Sequence, residues 1–597
     1  MVTVLAALGL ALVAVAFDGA RLGRSWADPA LWAGLLVIVI PIAFRLVSAA
    51  PTRAERLALV LVLGLMLYLV PVLLSPDGFA LHDELGHYRS VTDILRTGKL
   101  YTPNPVVAAY AYYPGILSLT AALARLSGLG IVPCGLVVVG LGRLLVVGGL
   151  FLFVERVMRS SRIAGIAVVL YTANPNFVFF DAQFAYESLA LGLAAMSLWM
   201  TARVSDRDTG GWTDVGIGVL LVGALVLTHH ITSYAVAIAI ALWALLSAIT
   251  RLRSPETRRL AVLAAFALAA TGAYAVYAYG ATKSDIGGSL TSSIHGLYQV
   301  IVGAAGHKAP FTAAHGYTDP PLERTMGVVA VALLLLALPF GLFASWRRRR
   351  QGIGVVLLGI AALMYPVTLA LRLTAAGTET SNRTSEFVFI GLGAVLALAF
   401  VVAAVRWVDG RRVLALLASL LACAYAGIVF VGGITVGTPS YDTLPAGYMV
   451  GADLRSVDAE GVAAAKWAGK WLPGNSHFLA DETDGELWTA HTGLRPQSGS
   501  THGTAVGQLF LSPAFGAIER RVISADKLDY LVVDKRDSTA LPRSGRYFDS
   551  GNPLAVYTQP LSLGALTKFD NEPCTDRIFS SGNVVVYDTS RVVAGCH

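Results

Sequence analysis

The stretch 57–88, LALVLVLGLMLYLVPVLLSPDGFALHDELGHY, decides how this chain is read. Leu57 to Ser75 is an apolar run long enough to cross the hydrocarbon core of a bilayer. It is followed within a few residues by an acidic cluster, His82-Asp83-Glu84-Leu85-Gly86-His87-Tyr88. Carboxylates are costly wherever lipid and protein crowd out water, so a pair at the mouth of a membrane span points to chemistry or transport.

The rest of the chain fits that beginning. Of 597 residues, 55% are hydrophobic and 14% charged, and the mean hydropathy is +0.64. That is too apolar for an ordinary soluble enzyme, and apolar runs of spanning length recur along the sequence. The net charge of +7 comes from short basic clusters between those runs, such as Trp346-Arg347-Arg348-Arg349-Arg350. This is the pattern that fixes membrane orientation, and it argues against a nucleic-acid partner. The excess of arginine over lysine, with abundant alanine, points to a GC-rich bacterial genome and hence to a bacterial plasma membrane.

The spans predicted from apolar length run Val2 to Phe17, Ala30 to Ala49, Leu57 to Ser75, Ile131 to Val154, Ile163 to Phe180, Glu187 to Arg203, Asp214 to Thr228 and Thr232 to Thr250. They continue with Leu260 to Gly280, Met326 to Ser345, Gly352 to Leu371, Ser385 to Arg406 and Val413 to Ile434. That makes about 13 crossings. If they alternate, Arg53, Arg56, Arg156 to Arg162, Arg203, Arg207, Arg251 to Arg259, Arg347 to Arg350 and Arg406 to Arg412 share one side, the cytoplasm, with the N-terminus. Tyr113 to Leu129, which would break the alternation, is read as a helix on or dipping into the outer face. Val2 to Phe17 resembles a signal-peptide core but lacks a basic leader, and is read as a retained helix.

The outer face then receives the loop 76–130, Asn174 to Tyr186, the His229-His230 turn, the loop 281–325 and everything after Thr435. Residues 1–56 are additional N-terminal helices, 57–434 the main membrane module, and 435–597 a soluble α/β domain. Within that domain Ser456-Val457-Asp458 reads as a helix start before Gly461 to Trp471, and His477 to Ala480, Tyr530 to Val533 and Val584 to Tyr587 read as strands. Cys134 and Cys423 lie in apolar spans as core residues, whereas Cys574 and Cys596 lie where an oxidising exterior would let them pair.

Several polar constellations share the outer face. Asp83 and His87 stand four apart, so on a helix a carboxylate, an imidazole and a metal could meet there, with Glu84 adjacent; the plain alternative is a solvated acidic loop. His82-x-Glu84-x-x-His87 has the look of a zinc-protease helix, but its histidines are five apart rather than four and turn away from each other. Asn174-Pro175-Asn176 ends one helix while Asp181 and Glu187 open the next, where capping alone accounts for one acid. His229 and His230 diverge by about 100° on a helix, so one of them suits a phosphate or hydroxyl better than both suit one metal. A hydrogen-bonded turn capped by Thr232 is the structural alternative there.

Arg372 and Arg383 flank another outer turn and could clamp an anionic lipid headgroup, or Arg383 could snorkel or pair with Glu386. Asn382-Arg383-Thr384 is formally a glycosylation sequon, too close to the membrane for modification. Arg143, within a span, costs about 3 kcal/mol unless paired, and a structural pairing is expected. The loop 281–325, with His295, His307, Lys308, His315, Asp319, Glu323 and Arg324, has the length of a substrate flap.

These features, taken in order, resemble the GT-C superfamily of polytopic membrane glycosyltransferases, which includes protein O-mannosyltransferases, aminoarabinose transferases, arabinosyltransferases and oligosaccharyltransferases. Asp83-Glu84 stands where those proteins carry an acidic motif in the first large outer loop. Tyr112-Tyr113-Pro114-Gly115-Ile116-Leu117 is similar to a following Tyr-Pro-Pro-Leu segment, with Gly115 in place of the second proline. Asn174-Pro175 with Asp181 or Glu187 matches a later helix–turn with an acid, and many members end in an extracytoplasmic domain. The two spans before Leu57 lie outside the minimal pattern.

The resemblance implies transfer of a sugar from a polyprenyl-phosphate donor to an extracytoplasmic glycan, lipid or protein acceptor. Asp83 would be the general base and Glu84 would orient the acceptor or a metal. His87, Tyr88, Asp181, Glu187, His229, His230, Arg372 and Arg383 would contact substrate, with Arg383 and a histidine offsetting charge on the leaving phosphate. Asp83, Glu84 and Asp181 are the candidate ligands if Mg²⁺ or Mn²⁺ is used. The rival readings are a lipid-linked-sugar flippase, a glycan polymerase or O-antigen ligase relying on arginine and histidine, and a receptor scaffold. Absence of an internal repeat and the gathering of acids at one face weigh against the flippase.

Overall fold

The computed structural model describes residues 1–596 apart from 77, 284–288, 305–317, 409–411, 498–499, 502–503 and 549–556. Of the flap residues named above, His307, Lys308 and His315 fall outside the described residues. The chain forms two compact units: Met1–Pro76, Tyr112–Phe311 and Asp319–Ser440 make the first, and Asp77–Ala111, Thr312–Thr318 and Tyr441–His597 the second. The sequence-based division at 434/435 cuts the chain differently. It assigns the segment bearing Asp83 to the membrane module, whereas that segment packs into the unit that contains the C-terminal region.

The first unit is helical. Among the described residues, ten helices are long and apolar enough to cross a membrane, so this is a multi-pass membrane protein: Val2–Arg21, Ala27–Val47, Arg53–Leu74, Ile131–Met158, His230–Arg251, Pro255–Thr282, Pro321–Gln351, Ile353–Leu371, Gly377–Val405 and Val413–Gly437. The other three expected spans are also helices, but Ser161–Tyr171 and Trp212–Val226 have only 11 and 15 residues and Tyr186–Val204 is less apolar. The expected span to Phe180 stops at Tyr171 because Pro175 disfavours helical backbone at Asn174; the chain continues through an irregular segment containing the short 3₁₀ turn Phe180–Ala182. The expected surface helix is Gly115–Ser127, 13 residues long and too short to span.

Basic residues at one end of these helices are tied by ion pairs. Arg45 meets Glu55 at 2.6 Å, Arg53 meets Glu155 at 2.8 Å, Arg156 meets Asp206 at 2.7 Å, Arg203 meets Asp214 at 2.9 Å and Arg207 meets Glu256 at 2.8 Å. This agrees with the placement of these arginines on one side. Ile131–Met158 and Tyr186–Val204 approach closely through glycine: a Cβ at Gly142 would lie 2.9 Å from the Ser188 carbonyl, and one at Gly192 2.8 Å from that of Gly142. This approach brings the first turn of the second helix, with Glu187, against the helix that carries Arg143.

The second unit is α/β. Its strands are β1 (His477–Leu479), β2 (Arg495–Pro496), β3 (Ser500–Thr501), β4 (Thr504–Ala505), β5 (Leu528–Asp534), β6 (Asp576–Ser580) and β7 (Val584–Asp588). Five of them form one sheet in the order β2-β1-β5-β7-β6, with β1 parallel to β2 and β5, and β7 antiparallel to β5 and β6. Alternation along the central strands buries both faces. Leu528, Leu531, Val533, Val585 and Tyr587 enter one core; Tyr530, Val532, Val584 and Val586 enter the other.

The helix His82–Thr97 belongs to this unit and contributes Leu85 to the second core beside Ala464, Phe478 and Trp488. Its Arg89 donates at 2.8 Å to the carbonyls of Thr489 and Thr492 and is held by Asp93, also at 2.8 Å. Of the expected helix start Ser456-Val457-Asp458, it is Asp458 that caps the helix Ala459–Trp471, accepting from the Gly461 amide at 2.9 Å. Cys574 and Cys596 form a disulfide.

Candidate functional site

In the α/β unit, the acidic pair divides into two roles. Asp83 and Glu84 occupy the first turn of the helix His82–Thr97, where unpaired amides and the helix dipole favour negative charge. Glu84 folds back and accepts from the amides of Ala80 at 3.1 Å and Leu81 at 3.2 Å, and it is buried. It therefore acts as the helix's own cap, which corrects the expectation that it orients an acceptor or a metal. Asp83 is half-buried and accepts a hydrogen bond from the Tyr110 hydroxyl.

Tyr110 lies over the helix so closely that a Cβ at Gly86 would meet its ring at 2.3 Å. The same ring covers His87, with centroids 4.1 Å apart. His87 is fully buried and its Nδ1 meets the Asp83 main-chain carbonyl at 2.5 Å, so the substrate contact expected of it is closed off. Burial pushes the His87 imidazole down to about 4, against the opposing charge of Asp83. Tyr88 packs edge-on against Phe79 and 5.5 Å from the ring of His491.

His82 faces the C-terminal residues of the same unit, with its Nδ1 against a carboxylate oxygen of Glu486. Burial works against its charged form, but Glu486, Asp83 and Glu482 outweigh it and hold the His82 imidazolium up to about 9. Burial likewise raises Glu486, to about 7, with His82 opposing. Thus His82 and His87 point into different surroundings, as their five-residue spacing requires.

In the membrane unit, Asp181, Glu187 and Glu386 are all buried and feel one another's charge. Arg143 supplies the counter-charge. It is 2% exposed, donates to the Phe177 carbonyl at 2.5 Å and lies 4.1 Å from the centroid of the Phe177 ring. The charge of Asp181 bears on it, but among the described residues Arg143 forms no ion pair, so the pairing expected inside the bundle is not a direct contact. Neither Asp181 oxygen receives a bond from an N–H or hydroxyl donor, although Glu386 lies within reach of sharing a proton. Asn174 and Asn176 tie the irregular segment to the helix Ala375–Val408: Ser385 donates to Asn174 at 2.8 Å and Asn176 donates to Glu386 at 2.7 Å.

The histidine turn joins this group through aromatic rings. His229 is the residue before the helix His230–Arg251, and its Nδ1 meets the Thr232 hydroxyl at 2.8 Å, so His229 rather than Thr232 stands at the cap position. Tyr186 stacks on His229 with centroids 4.5 Å apart, and His230 lies 5.1 Å from Tyr113. His230 is 1% exposed, neither of its ring nitrogens has a hydrogen-bond partner, and the charge of Arg383 bears on it.

Gly115 explains its own departure from proline here. Its amide donates to Leu227 at 3.3 Å, and a Cβ would lie 2.2 Å from the Thr228 hydroxyl, so no side chain fits while the Tyr113 segment sits on the histidine turn. Arg383 lies inside the helix Ala375–Val408 rather than at a turn, and pairs with Glu379 at 3.0 Å. Arg372 is spent on structure. It donates to Ser381 at 3.1 Å, to the Val436 carbonyl at 3.0 Å and to Asn382, which leaves it poorly suited to clamp a headgroup.

The sequence reading placed Asp181, Glu187, His229, His230 and Arg383 on one outer face; in the structure Asp181 and Glu187 are buried with Arg143 and Glu386, His229 and His230 are buried beside Tyr186, and Arg383 is half-buried. That reading missed Tyr110, Tyr113 and Tyr186 as partners, although each lies in or next to a motif already noted. Asp83 and Glu84 belong to one unit and Asp181 to the other. Of this candidate metal set, Glu84 has one oxygen engaged by two amides. Among the described residues, the His/Cys/Asp/Glu group whose ligand atoms converge is His82, Glu482 and Glu486.

Comparison with solved structures places the architecture. The archaeal oligosaccharyltransferase AglB from Archaeoglobus fulgidus, in complex with an inhibitory peptide and a dolichol-phosphate, matches at TM-score 0.52 and 14% identity over 86% of this chain and 70% of that one. A second Archaeoglobus fulgidus oligosaccharyltransferase structure, a complex with Zn and sulfate, matches at 0.50 and 14% over 80% and 68%. ArnT from Cupriavidus metallidurans in the apo state matches at 0.50 and 14% over 90% and 99%. The chain has the GT-C fold. No protein-family model matches the sequence, and no curated protein does. A GT-C membrane unit joined to an α/β unit is therefore the frame in which Asp83 and the buried Asp181 group are to be understood.

Proposed function

We propose that this GT-C protein is a membrane glycosyltransferase that moves a sugar from a polyprenyl-phosphate-linked donor to an acceptor on the outer side of a bacterial plasma membrane. In this reading the N-terminus is cytoplasmic and the α/β unit extracytoplasmic. The observation that carries it is the state of Asp83 within a GT-C chain. Of the acidic pair, Glu84 is consumed by main-chain amides, while Asp83 holds its carboxylate against a phenolic hydroxyl at a half-buried helix start.

A base must reach the proton that it takes, and a hydroxyl partner is the type of group that an acceptor hydroxyl can replace. Asp83 removes the acceptor proton as the acceptor oxygen attacks the anomeric carbon, and the lipid phosphate leaves with the bonding pair. Tyr110 is a positioning residue for that carboxylate. In the membrane unit, Arg383 with His229 or His230 offsets charge on the phosphate, and Asp181 or Glu187 assists in binding. The acceptor is a cell-envelope glycan, lipid or protein. No step is assigned to a metal.

The test is transfer from a panel of radiolabelled polyprenyl-phosphate sugars to envelope acceptors by the purified protein and its Asp83→Asn variant. Transfer by the wild type that the variant loses supports the reading. Equal transfer by both removes Asp83 as base. Movement of the lipid-linked sugar between leaflets without transfer replaces the enzyme with a flippase.

A further inference from the structure

His82, Glu482 and Glu486 form a side-chain group that the proposed transfer reaction does not use. Glu482 and Glu486 open the helix Glu482–His491 one turn apart on the same face, and His82 begins the helix that carries Asp83. One ligand atom from each of the three lies within 4.8 Å of the others. Donors in a tetrahedral zinc site stand roughly 3.4 Å apart, so small side-chain rotations close this group to bonding geometry.

The surrounding charge favours a cation. Asp83 and Asp453 also bear on His82, so four carboxylates share the neighbourhood, and Arg546 is the guanidinium that faces them. Arg546 grips Glu482 from outside, at 2.6 Å from Nη2 and 2.8 Å from Nε, and each carboxylate oxygen keeps a second lone pair. An outer partner of this kind orients a ligating carboxylate rather than blocking it. A cavity of about 40 Å³, lined by Asp481, Glu482, Glu486 and Gln497 among others, adjoins the pair and has room for a water as fourth ligand.

We propose that His82, Glu482 and Glu486 bind a zinc-type divalent cation that fastens the start of the Asp83 helix to the helix Glu482–His491. One imidazole nitrogen, two carboxylate oxygens and a water make a four-coordinate set for which Zn²⁺ is better suited than Mg²⁺, which prefers six oxygens. The cation replaces the direct contact between His82 and Glu486 and displaces the imidazolium proton, which is released to solvent. This site stands apart from the glycosyl-transfer reading, and its assay does not depend on transfer.

The full chain is purified in detergent, stripped with chelator and titrated separately with Zn²⁺, Mn²⁺ and Mg²⁺; bound metal is counted by mass spectrometry and unfolding is followed by thermal melting. One Zn²⁺ per chain is expected, with a rise in melting temperature of several degrees and at least tenfold weaker binding for His82→Ala and Glu486→Gln. Glu482→Gln, which keeps shape and the helix start, should weaken zinc binding while melting like wild type in chelator, so loss of the site is separable from loss of fold. The proposal fails if no stoichiometric Zn²⁺ binds, if Mg²⁺ binds as tightly, or if all three variants keep wild-type zinc affinity.

Discussion

Asp181 in the membrane unit and Asp83 in the α/β unit are both acids at helix starts or turns, yet their charge is met in different ways. Asp181 is 3% exposed among Arg143, Glu187 and Glu386, and the charge that favours its carboxylate is that of the buried Arg143, which does not touch it. Asp83 is half-buried, and among its partners is a neutral phenol that an incoming hydroxyl can displace. A carboxylate buried among fixed charges organises a site; one that accepts from a phenol is better placed to exchange a proton. The same contrast recurs inside the pair 83–84, where the second acid is bound to amides.

The strongest way to break the contrast is to change Asp83 itself. Asp83→Asn should lower sugar transfer by about 10²- to 10⁴-fold with the melting temperature nearly unchanged. Tyr110→Phe should lower it by about tenfold, through loss of one charge-assisted hydrogen bond. Equal losses from Asp181→Asn, with melting also unchanged, would erase the distinction. In the membrane unit the expected effect is on stability. Arg143→Met removes the charge that bears on Asp181 and the donor to the Phe177 carbonyl and should cost about 1–3 kcal/mol, part of it regained in Arg143→Met with Asp181→Asn. Thermal melting of the three variants in detergent measures this, and a wild-type melt for Arg143→Met would show that this charge and donor hold nothing.

A smaller effect separates the two histidines of the α/β unit by pH. His87 takes its proton near 4 in the folded chain and near about 6.5 when unfolded, so the unfolded chain binds more protons in that window. The stability it supports is intact above about 6.5 and lost as pH falls toward 4, reaching about 2 kcal/mol at pH 5. The groups facing it are the Asp83 carbonyl and charge, the Tyr110 ring and the charge of His82. Glutamine cannot titrate, so the drop in melting temperature between pH 7.5 and 5 should be smaller in His87→Gln than in wild type.

Much of the membrane unit is legible because one physical quantity, apolar length, governs it; the run 57–75 became the helix Arg53–Leu74. It failed where a local rule interrupted that quantity, as at Asn174-Pro175. The strands around Tyr530 and Val584 were legible as short apolar runs rich in β-branched and aromatic residues. The association of residues 77–111 with the C-terminal region was not, since it depends on contacts such as Arg89 with the carbonyls of Thr489 and Thr492, which leave no periodic trace. For the same reason the sequence marked Asp83 and Glu84 as equals. Only the positions of Tyr110 and of the amides of Ala80 and Leu81 tell them apart.

Glu84 gives the smallest and most discriminating effect. Its carboxylate accepts from two amides that have no other partner at the helix start, which is the work of a capping residue, and removing such a cap costs about 1 kcal/mol. Glu84→Ala should therefore lower the melting temperature by a few degrees, and Glu84→Gln, which keeps an acceptor oxygen, by less. Both should retain most of the transfer that Asp83→Asn abolishes. If Glu84→Gln instead melts like wild type and loses transfer as completely as Asp83→Asn, the second acid is chemical after all. The two carboxylates would then have to act as a unit, with the amide contacts broken when substrate binds.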